Sequence, residues 1–136
     1  MKKYRNEKVS VETRGIEEAM VIAQSMTNYY TCIETIFLRV SRFFENNLSK
    51  ERWHQELLDR MTIEIEGIRK AVISDDVKDA LTEILKFRHF TRYYFELNYD
   101  WDKLDFLLKK FDLLADNLPE QVRNFLLFLD ELTADK

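Results

Sequence analysis

One stretch of the sequence places a cation where an apolar side chain is expected. It is the segment KFRHFTRYYFELNYDW, residues 86–101. At spacings of three and four residues, one helix face here carries Val77, Leu81, Ile84, Arg88, Thr91 and Phe95. A charge on an apolar face is costly unless another group or water neutralises it. The position of Arg88 therefore predicts a partner group, a cleft or a bound anion.

Three neighbours extend this position into a small basic and aromatic surface. Arg92 lies one turn beyond Arg88, while His89 and Tyr93 form an adjacent pair about 100° around the helix axis. We take these four residues as candidates for anion binding and catalysis. Structural ion-pair networks give the same spacing, so that interpretation stays open.

The overall charge limits what this surface can bind. The chain has 21 Lys and Arg against 25 Asp and Glu, which gives a net charge of −4. This acidic balance excludes a general nucleic-acid-binding protein, whose basic residues spread along the phosphate backbone. A local basic cluster in an acidic chain favours a focused anion site.

The composition predicts an all-α protein, an antiparallel helical bundle in a single domain over residues 1–136. Two Gly and one Pro leave little material for turns, and 46% hydrophobic with 34% charged residues suits amphipathic helices. The one cysteine, Cys32, lies in an apolar helical pattern, so we expect it to be buried in a cytoplasmic protein. No apolar run approaches 18 residues, so neither membrane association nor secretion is expected.

The apolar periodicity predicts four main helices and a short terminal one. Ser49, Ser74 and Asp100 are the expected N-caps of the second, third and fourth helices. The expected positions are about 12–46, 51–65 and 75–97, then a fourth helix from Trp101 and a restart after Pro119.

The motif search points to chemistry without a metal or a cofactor. There is no Gly-rich phosphate loop, Cys/His cluster or nucleophile elbow. Glu51 and His54 have the Glu-x-x-His spacing of di-iron sites, but such a site needs a second motif, which the only other histidine, His89, does not supply. We therefore interpret His54 as a surface or hydrogen-bonding residue. An enzyme built on this chain would have to use cations and aromatic residues, which suits metal-free phosphodiester cleavage.

Three segments together resemble a known family. They are FRHFTRYYFELNYDW, SMTNYYTCIETIFLRV and WHQELLDRM, and the similarity spans about residues 25–110. They resemble the HepT-like branch of the HEPN superfamily, helical-bundle proteins commonly paired with a minimal nucleotidyltransferase in toxin–antitoxin modules. The resemblance implies a homodimer in which both subunits line a cleft that cuts RNA without metal.

The family motif is matched in part. It has an Arg, four intervening residues, a His, one residue and a Tyr that the partner enzyme adenylylates. Arg88 matches, but Tyr93 stands in place of the His and Phe95 in place of the Tyr. A tyrosine, with a pKa of about 10, is a poor general base at neutral pH. Phe95 has no hydroxyl to accept a nucleotide.

Three hypotheses follow. The first is an RNA-binding cleft at a homodimer interface around Arg88, His89 and Arg92, with ribonuclease activity weak or absent unless His89 substitutes as base. In the second, the chain is a non-catalytic partner or adenylylation substrate of the nucleotidyltransferase, with Tyr93 or Tyr94 as acceptor. In the third, Arg88 only pairs with a carboxylate across a dimer interface.

Overall fold

The computed structural model describes residues 15–44, 48, 50–93 and 100–134, without the side chains of residues 92 and 93. Within these ranges the chain forms four helices and an isolated β-bridge between Ile65 and Arg69. The helices are α1 (Ile16–Phe44), α2 (Trp53–Met61), α3 (Asp75–Tyr93) and α4 (Trp101–Ala134). The predicted all-α bundle is thus confirmed.

Helix α3 runs antiparallel to α4, and both ends of their contact are marked by polar pairs. Glu83 lies 3.7 Å from the Lys103 ammonium. Nine residues earlier, directly before α3, the Ser74 amide donates to the Gln121 side-chain oxygen at 2.9 Å, and the Gln121 side-chain amide donates back to the Ser74 hydroxyl at 3.0 Å. The α3 residue numbers fall as those of α4 rise, which establishes the direction.

Helix α1 packs on another side of α3, also antiparallel. Arg88 contacts Thr31, whereas Thr91, further along α3, lines a surface cavity with the earlier α1 residues Ala23 and Thr27. Buried side chains from all four helices form one core cluster. Its largest fully buried members include Tyr30, Phe37, Leu57, Met61, Leu81, Ile84, Leu107 and Leu114.

Two of the predicted N-caps are confirmed. The Val77 amide donates to the Ser74 hydroxyl at 3.4 Å, and the Asp102 amide donates to an Asp100 carboxylate oxygen at 2.9 Å. Ser49 lies outside the described residues. The residue before α2 is Arg52, which makes no side-chain capping bond.

Helix α2 ends earlier than predicted, and an arginine closes its end. The sequence predicted a helix to residue 65, but the chain leaves the helix after Met61 and turns at Gly67, whose φ is +76°. The buried Arg69 guanidinium donates to the carbonyls of Arg60 at 2.9 Å and Ile63 at 2.8 Å. These bonds tie the last turn of α2 to the link that follows it, where the Arg60 carbonyl also accepts from the Ile63 amide at 3.1 Å.

The predicted break at Pro119 is wrong, because α4 continues through it to Ala134. A proline inside a helix removes one backbone hydrogen bond and costs about 3 kcal/mol. On either side of it, Leu118 and Phe125 are buried in the core. Their burial as parts of one continuous helical face outweighs the cost of the proline.

Cys32 is exposed, so its predicted burial is wrong. The buried face of α1 passes through Tyr30 and Glu34, four residues apart. A residue midway between them points to the opposite side of the helix. None of the helices in the described ranges is both long enough and apolar enough to cross a bilayer.

Candidate functional site

The predicted burial of Arg88 on the apolar face of α3 is confirmed. The face rises through Val77, Leu81 and Ile84, all with no measurable exposure, and the Arg88 side chain above them is 8% exposed. Opposite it on α1 lies Glu34, with a side chain 9% exposed. Both charges are therefore largely removed from water, where an ion pair is stabilising only when its geometry is good.

The geometry between Arg88 and Glu34 is that of a two-point pair. Nη1 of Arg88 donates to Oε1 of Glu34 at 3.2 Å, and Nη2 donates to Oε2 at 3.1 Å. Nη1 also lies 3.2 Å from the Thr31 hydroxyl, and the guanidinium sits 4.7 Å from the centre of the Tyr30 ring. A planar guanidinium suits this combination of parallel hydrogen bonds and ring contact, which a lysine does not reproduce.

His54 of α2 completes the group, which we call the Arg88 cluster: Arg88, Glu34, His54, Thr31 and Tyr30. Nδ1 of His54 lies 2.6 Å from Oε2 of Glu34 and 3.1 Å from Nη2 of Arg88. The His54 side chain is 37% exposed, unlike those of its two charged partners. The cluster therefore begins in the core and reaches the surface through the imidazole.

The proton on His54 can be assigned from these distances. A carboxylate only accepts hydrogen bonds and a guanidinium only donates them, so Nδ1 cannot satisfy both neighbours at once. The shorter contact is the one to Glu34, and we assign the proton to Nδ1 on that basis. In the neutral ring this leaves the lone pair on Nε2.

Tyr30 is excluded as an acid–base group at neutral pH. Burial raises the pKa of its hydroxyl well above the usual value, and the Glu34 carboxylate raises it further, while Arg88 lowers it in part. The Tyr30 hydroxyl therefore stays protonated, and the ring packs against the Arg88 guanidinium.

Of the other predicted site residues, only His89 has a described side chain. His89 is exposed on α3, directly after Arg88. Arg92 and Tyr93 belong to the last turn of α3, but their side chains lie outside the described part. Tyr94 and Phe95 are outside it altogether. Their roles remain predictions.

Arg88 has a carboxylate partner within its own chain, so its burial no longer implies a cleft between two copies. The position of Arg88 was expected to need a partner, a cleft or a bound anion, and Glu34 of the same chain is that partner. Arg88 thus requires neither a second copy of the chain nor an anion to be tolerated. An anion at Nη1 or Nη2 would therefore compete with the Glu34 carboxylate for these donors.

Glu34 and His54 were not predicted as site residues, although the sequence carries a signal for Glu34. The buried row Tyr30, Phe37 and Ser41 is interrupted by Glu34 at helical spacing, just as the row on α3 is interrupted by Arg88. Two opposite charges on two apolar faces predict that the faces meet there. His54 carried no comparable signal, because its helix is short and its register against α1 is not set by periodicity.

The described residues contain no group of three or more His, Cys, Asp or Glu side chains arranged to hold a metal ion. The contacts of His54 agree with this. Its Nδ1 faces a carboxylate that is already paired with a guanidinium, so a cation placed there would meet a positive charge.

Comparison with known proteins gives one result. A family model described as HepT-like protein matches residues 21–129, well over half of the chain and all of the Arg88 cluster. The comparisons with curated proteins and with solved structures give no match. The family expected from the three sequence segments is thus found over a longer span than they covered, and this chain belongs to the HepT-like family of HEPN proteins.

Proposed function

We propose that this chain is the RNA-binding, HepT-like component of a toxin–antitoxin module, acting as a homodimer and controlled by a minimal nucleotidyltransferase. Family membership supports the module and the partner. The observation that carries the RNA-binding part is the Arg88 cluster, a charged and hydrogen-bonded group built into the contact of three helices and open to the surface at His54.

The energetics of the cluster favour a functional role. Replacing a buried ion pair by apolar side chains of similar size is often neutral or stabilising. A bundle that needed only to fold could therefore fill positions 34 and 88 with aliphatic residues. A charged pair that holds a half-exposed imidazole in place suits a site that handles a polar ligand.

In this proposal Arg88 is a positioning residue. Its guanidinium is engaged by Glu34, so RNA phosphates are contacted by other cationic groups of α3. The exposed Lys86, and Arg92 one turn beyond Arg88, supply them, and the exposed His89 adds a hydrogen-bonding group. Each cation that neutralises a phosphate releases counterions, so binding should weaken as salt rises.

Binding to RNA tests the proposal directly. The probe is a fluorescently labelled single-stranded RNA of mixed sequence, measured by anisotropy at about 50 mM and about 200 mM salt. The wild-type chain should bind, more weakly at the higher salt, and a variant with Lys86→Ala and Arg92→Ala should bind less. Lys109→Ala with Arg123→Ala, at two exposed positions of α4, is the matched control, because it removes the same number of positive charges. Absence of binding at low salt would overturn the proposal.

The dimer is tested on the same samples. Light scattering coupled to size-exclusion chromatography should give twice the mass of the chain, which is 16.5 kDa. A mass of one chain at the concentration used for RNA binding would contradict the homodimer and leave the RNA-binding result to be interpreted for a monomer.

A second role concerns the nucleotidyltransferase. The tyrosine at position 93 lies in the last described turn of α3, one turn beyond the exposed His89, and Tyr94 follows it. We propose these two hydroxyls as acceptors in place of the missing one at Phe95. Intact-mass measurement after co-expression with such an enzyme should show added AMP units that Tyr93→Phe or Tyr94→Phe removes. An unmodified mass would contradict this role.

A further inference from the structure

We infer that His54 is the proton-exchanging catalytic residue of this protein, replacing the histidine that the α3 motif lacks. The inference rests on the proposed RNA-binding function and deepens it, because it assigns a metal-free ribonuclease activity to a residue from a different helix. Neither the sequence motif nor the family match assigns His54 a role.

A general base needs a free acceptor atom, a group that orients it and access to the substrate. His54 has all three. Nδ1 is held by Glu34 at 2.6 Å, which directs the lone pair to Nε2 on the other side of the ring. The side chain is 37% exposed, so a ligand at the surface can reach the ring.

The orienting group is itself held firmly. Both oxygens of Glu34 accept hydrogen bonds from Arg88, which leaves the carboxylate little freedom to rotate away from His54. The Trp53 ring lies against the imidazole, with ring centres 3.7 Å apart, and limits its movement further. A base whose orientation is fixed before the substrate arrives loses less entropy in the reaction.

The cluster also suits the charge that develops on His54. When Nε2 takes up a proton, the imidazolium lies against the Glu34 carboxylate, which stabilises it in the way an aspartate stabilises the histidine of a hydrolase triad. Arg88 balances the carboxylate before the reaction and keeps it in place.

Other candidates for the base are weaker. The raised pKa of Tyr30 and its burial remove it from acid–base chemistry at neutral pH. Tyr93 carries a phenol, whose usual pKa of about 10 leaves almost no phenolate at neutral pH. His89 is exposed and is the direct competitor, so it enters the test as such.

The reaction balances without a metal or a second substrate. Nε2 of His54 takes the proton of a ribose 2′-hydroxyl as O2′ forms a bond to the adjacent phosphorus. The bond from phosphorus to O5′ breaks, which leaves a 2′,3′-cyclic phosphate on one fragment, and O5′ takes a proton from water to give a 5′-hydroxyl on the other. The imidazolium then returns its proton to the hydroxide so formed.

The test is cleavage of a 5′-labelled single-stranded RNA in the presence of EDTA. The wild-type chain should cleave it to cyclic-phosphate products, identified by mass spectrometry, and should leave the same sequence intact as 2′-deoxy DNA. His54→Asn keeps an amide where Nδ1 lies, so it can still donate to Glu34, but it has no Nε2. This variant should lower kcat at least about 100-fold with little change in KM.

Two comparisons make the assignment specific to His54. Gln55→Ala, which removes a hydrogen bond to Asp59 within α2, should keep the wild-type rate within about twofold. Added imidazole should restore part of the activity of His54→Ala. Circular dichroism and thermal melting check that each variant folds, and His54→Gln replaces His54→Asn if the latter does not.

The outcomes separate this inference from the proposed function. If the wild-type chain binds the RNA but does not cleave it, or if His89→Asn abolishes cleavage while His54→Asn does not, the assignment of His54 is wrong and RNA binding stands. If the chain does not bind RNA at low salt, the proposed function itself is wrong. Loss of cleavage in His54→Asn alone supports the assignment.

Discussion

Arg88 of α3 and Glu34 of α1 meet through two parallel hydrogen bonds of 3.2 and 3.1 Å, although 54 residues separate them in the sequence. The pair joins the buried faces of α1 and α3. His54 of α2 contacts Glu34 through Nδ1 and is the more exposed member of the group. The contact thus fixes the relative position of three helices and holds the imidazole at the surface.

Replacing one partner of the Arg88–Glu34 pair should destabilise the protein much more than replacing both. Arg88→Met leaves the Glu34 carboxylate buried without its main partner, so we expect a loss of about 3–5 kcal/mol in the free energy of unfolding. The double variant Arg88→Met with Glu34→Leu should recover most of that loss. Urea denaturation of the two single variants and the double variant measures both effects. A single variant within about 1 kcal/mol of wild type would show that the pair is solvated.

Tyr30 should make the protein sensitive to alkali. Burial and Glu34 raise the pKa of its hydroxyl in the folded state, whereas in the unfolded chain the pKa is about 10. Above pH 10 the unfolded state loses a proton that the folded state keeps, so stability falls as pH rises, by about 1.4 kcal/mol per pH unit from this residue. Below pH 9 no such dependence arises from it.

Tyr30→Phe is the matched control for that dependence. It removes the ionisable hydroxyl and keeps the ring beneath the Arg88 guanidinium. Urea denaturation between pH 9 and pH 11 should show a shallower loss of stability for the variant than for wild type. Equal slopes in both proteins would mean that Tyr30 ionises in the folded state as readily as in the unfolded one.

Sequence periodicity predicted the environment of Arg88 and did not identify its partners. Spacings of three and four residues identify the apolar face of α3 and place Arg88 on it, because they depend on the helix alone. Which residue of another helix lies opposite depends on the register of packing, which a single helix pattern does not contain. Glu34 could have been found from its own interrupted face, but His54 could not.

The helix ends show the same limit. Ser74 and Asp100 were predicted correctly as caps because a cap depends on neighbouring residues. The end of α2 was not, because no glycine, proline or asparagine directly follows Met61, and Arg69, whose side chain binds the Arg60 carbonyl, lies in the link beyond the helix. At the end of α2, the contact of the Arg69 side chain with the Arg60 carbonyl comes from outside the helix, so the pattern of residues within the helix does not predict it.

Arg69 should be essential to the link between α2 and α3. It is buried, and its guanidinium donates to the carbonyls of Arg60, Ile63 and Lys70. Arg69→Met should remove the side-chain donor from the carbonyls of Ile63 and Lys70 and destabilise the protein by about 2–4 kcal/mol. Hydrogen exchange in residues 62–74 should rise more than in α4.

The control for Arg69 is its exposed neighbour. Lys70→Met removes a cation from the same link but leaves the buried guanidinium in place, and it should change stability by less than about 1 kcal/mol. Similar losses for the two variants would mean that net charge in the link, and not the carbonyl contacts of Arg69, determines its stability.

Pro119 offers a stabilising substitution because α4 passes through it without ending. Proline at an exposed position inside a helix lacks the amide that would donate to the carbonyl of Ala115, and its ring crowds that carbonyl. Pro119→Ala restores the hydrogen bond and should raise the free energy of unfolding by about 1–3 kcal/mol. Ala115→Gly, at an exposed position one turn earlier, should lower it by about 1 kcal/mol, as expected for a helix interior. A loss of stability in Pro119→Ala would contradict a continuous helix and restore the predicted break between residues 118 and 120.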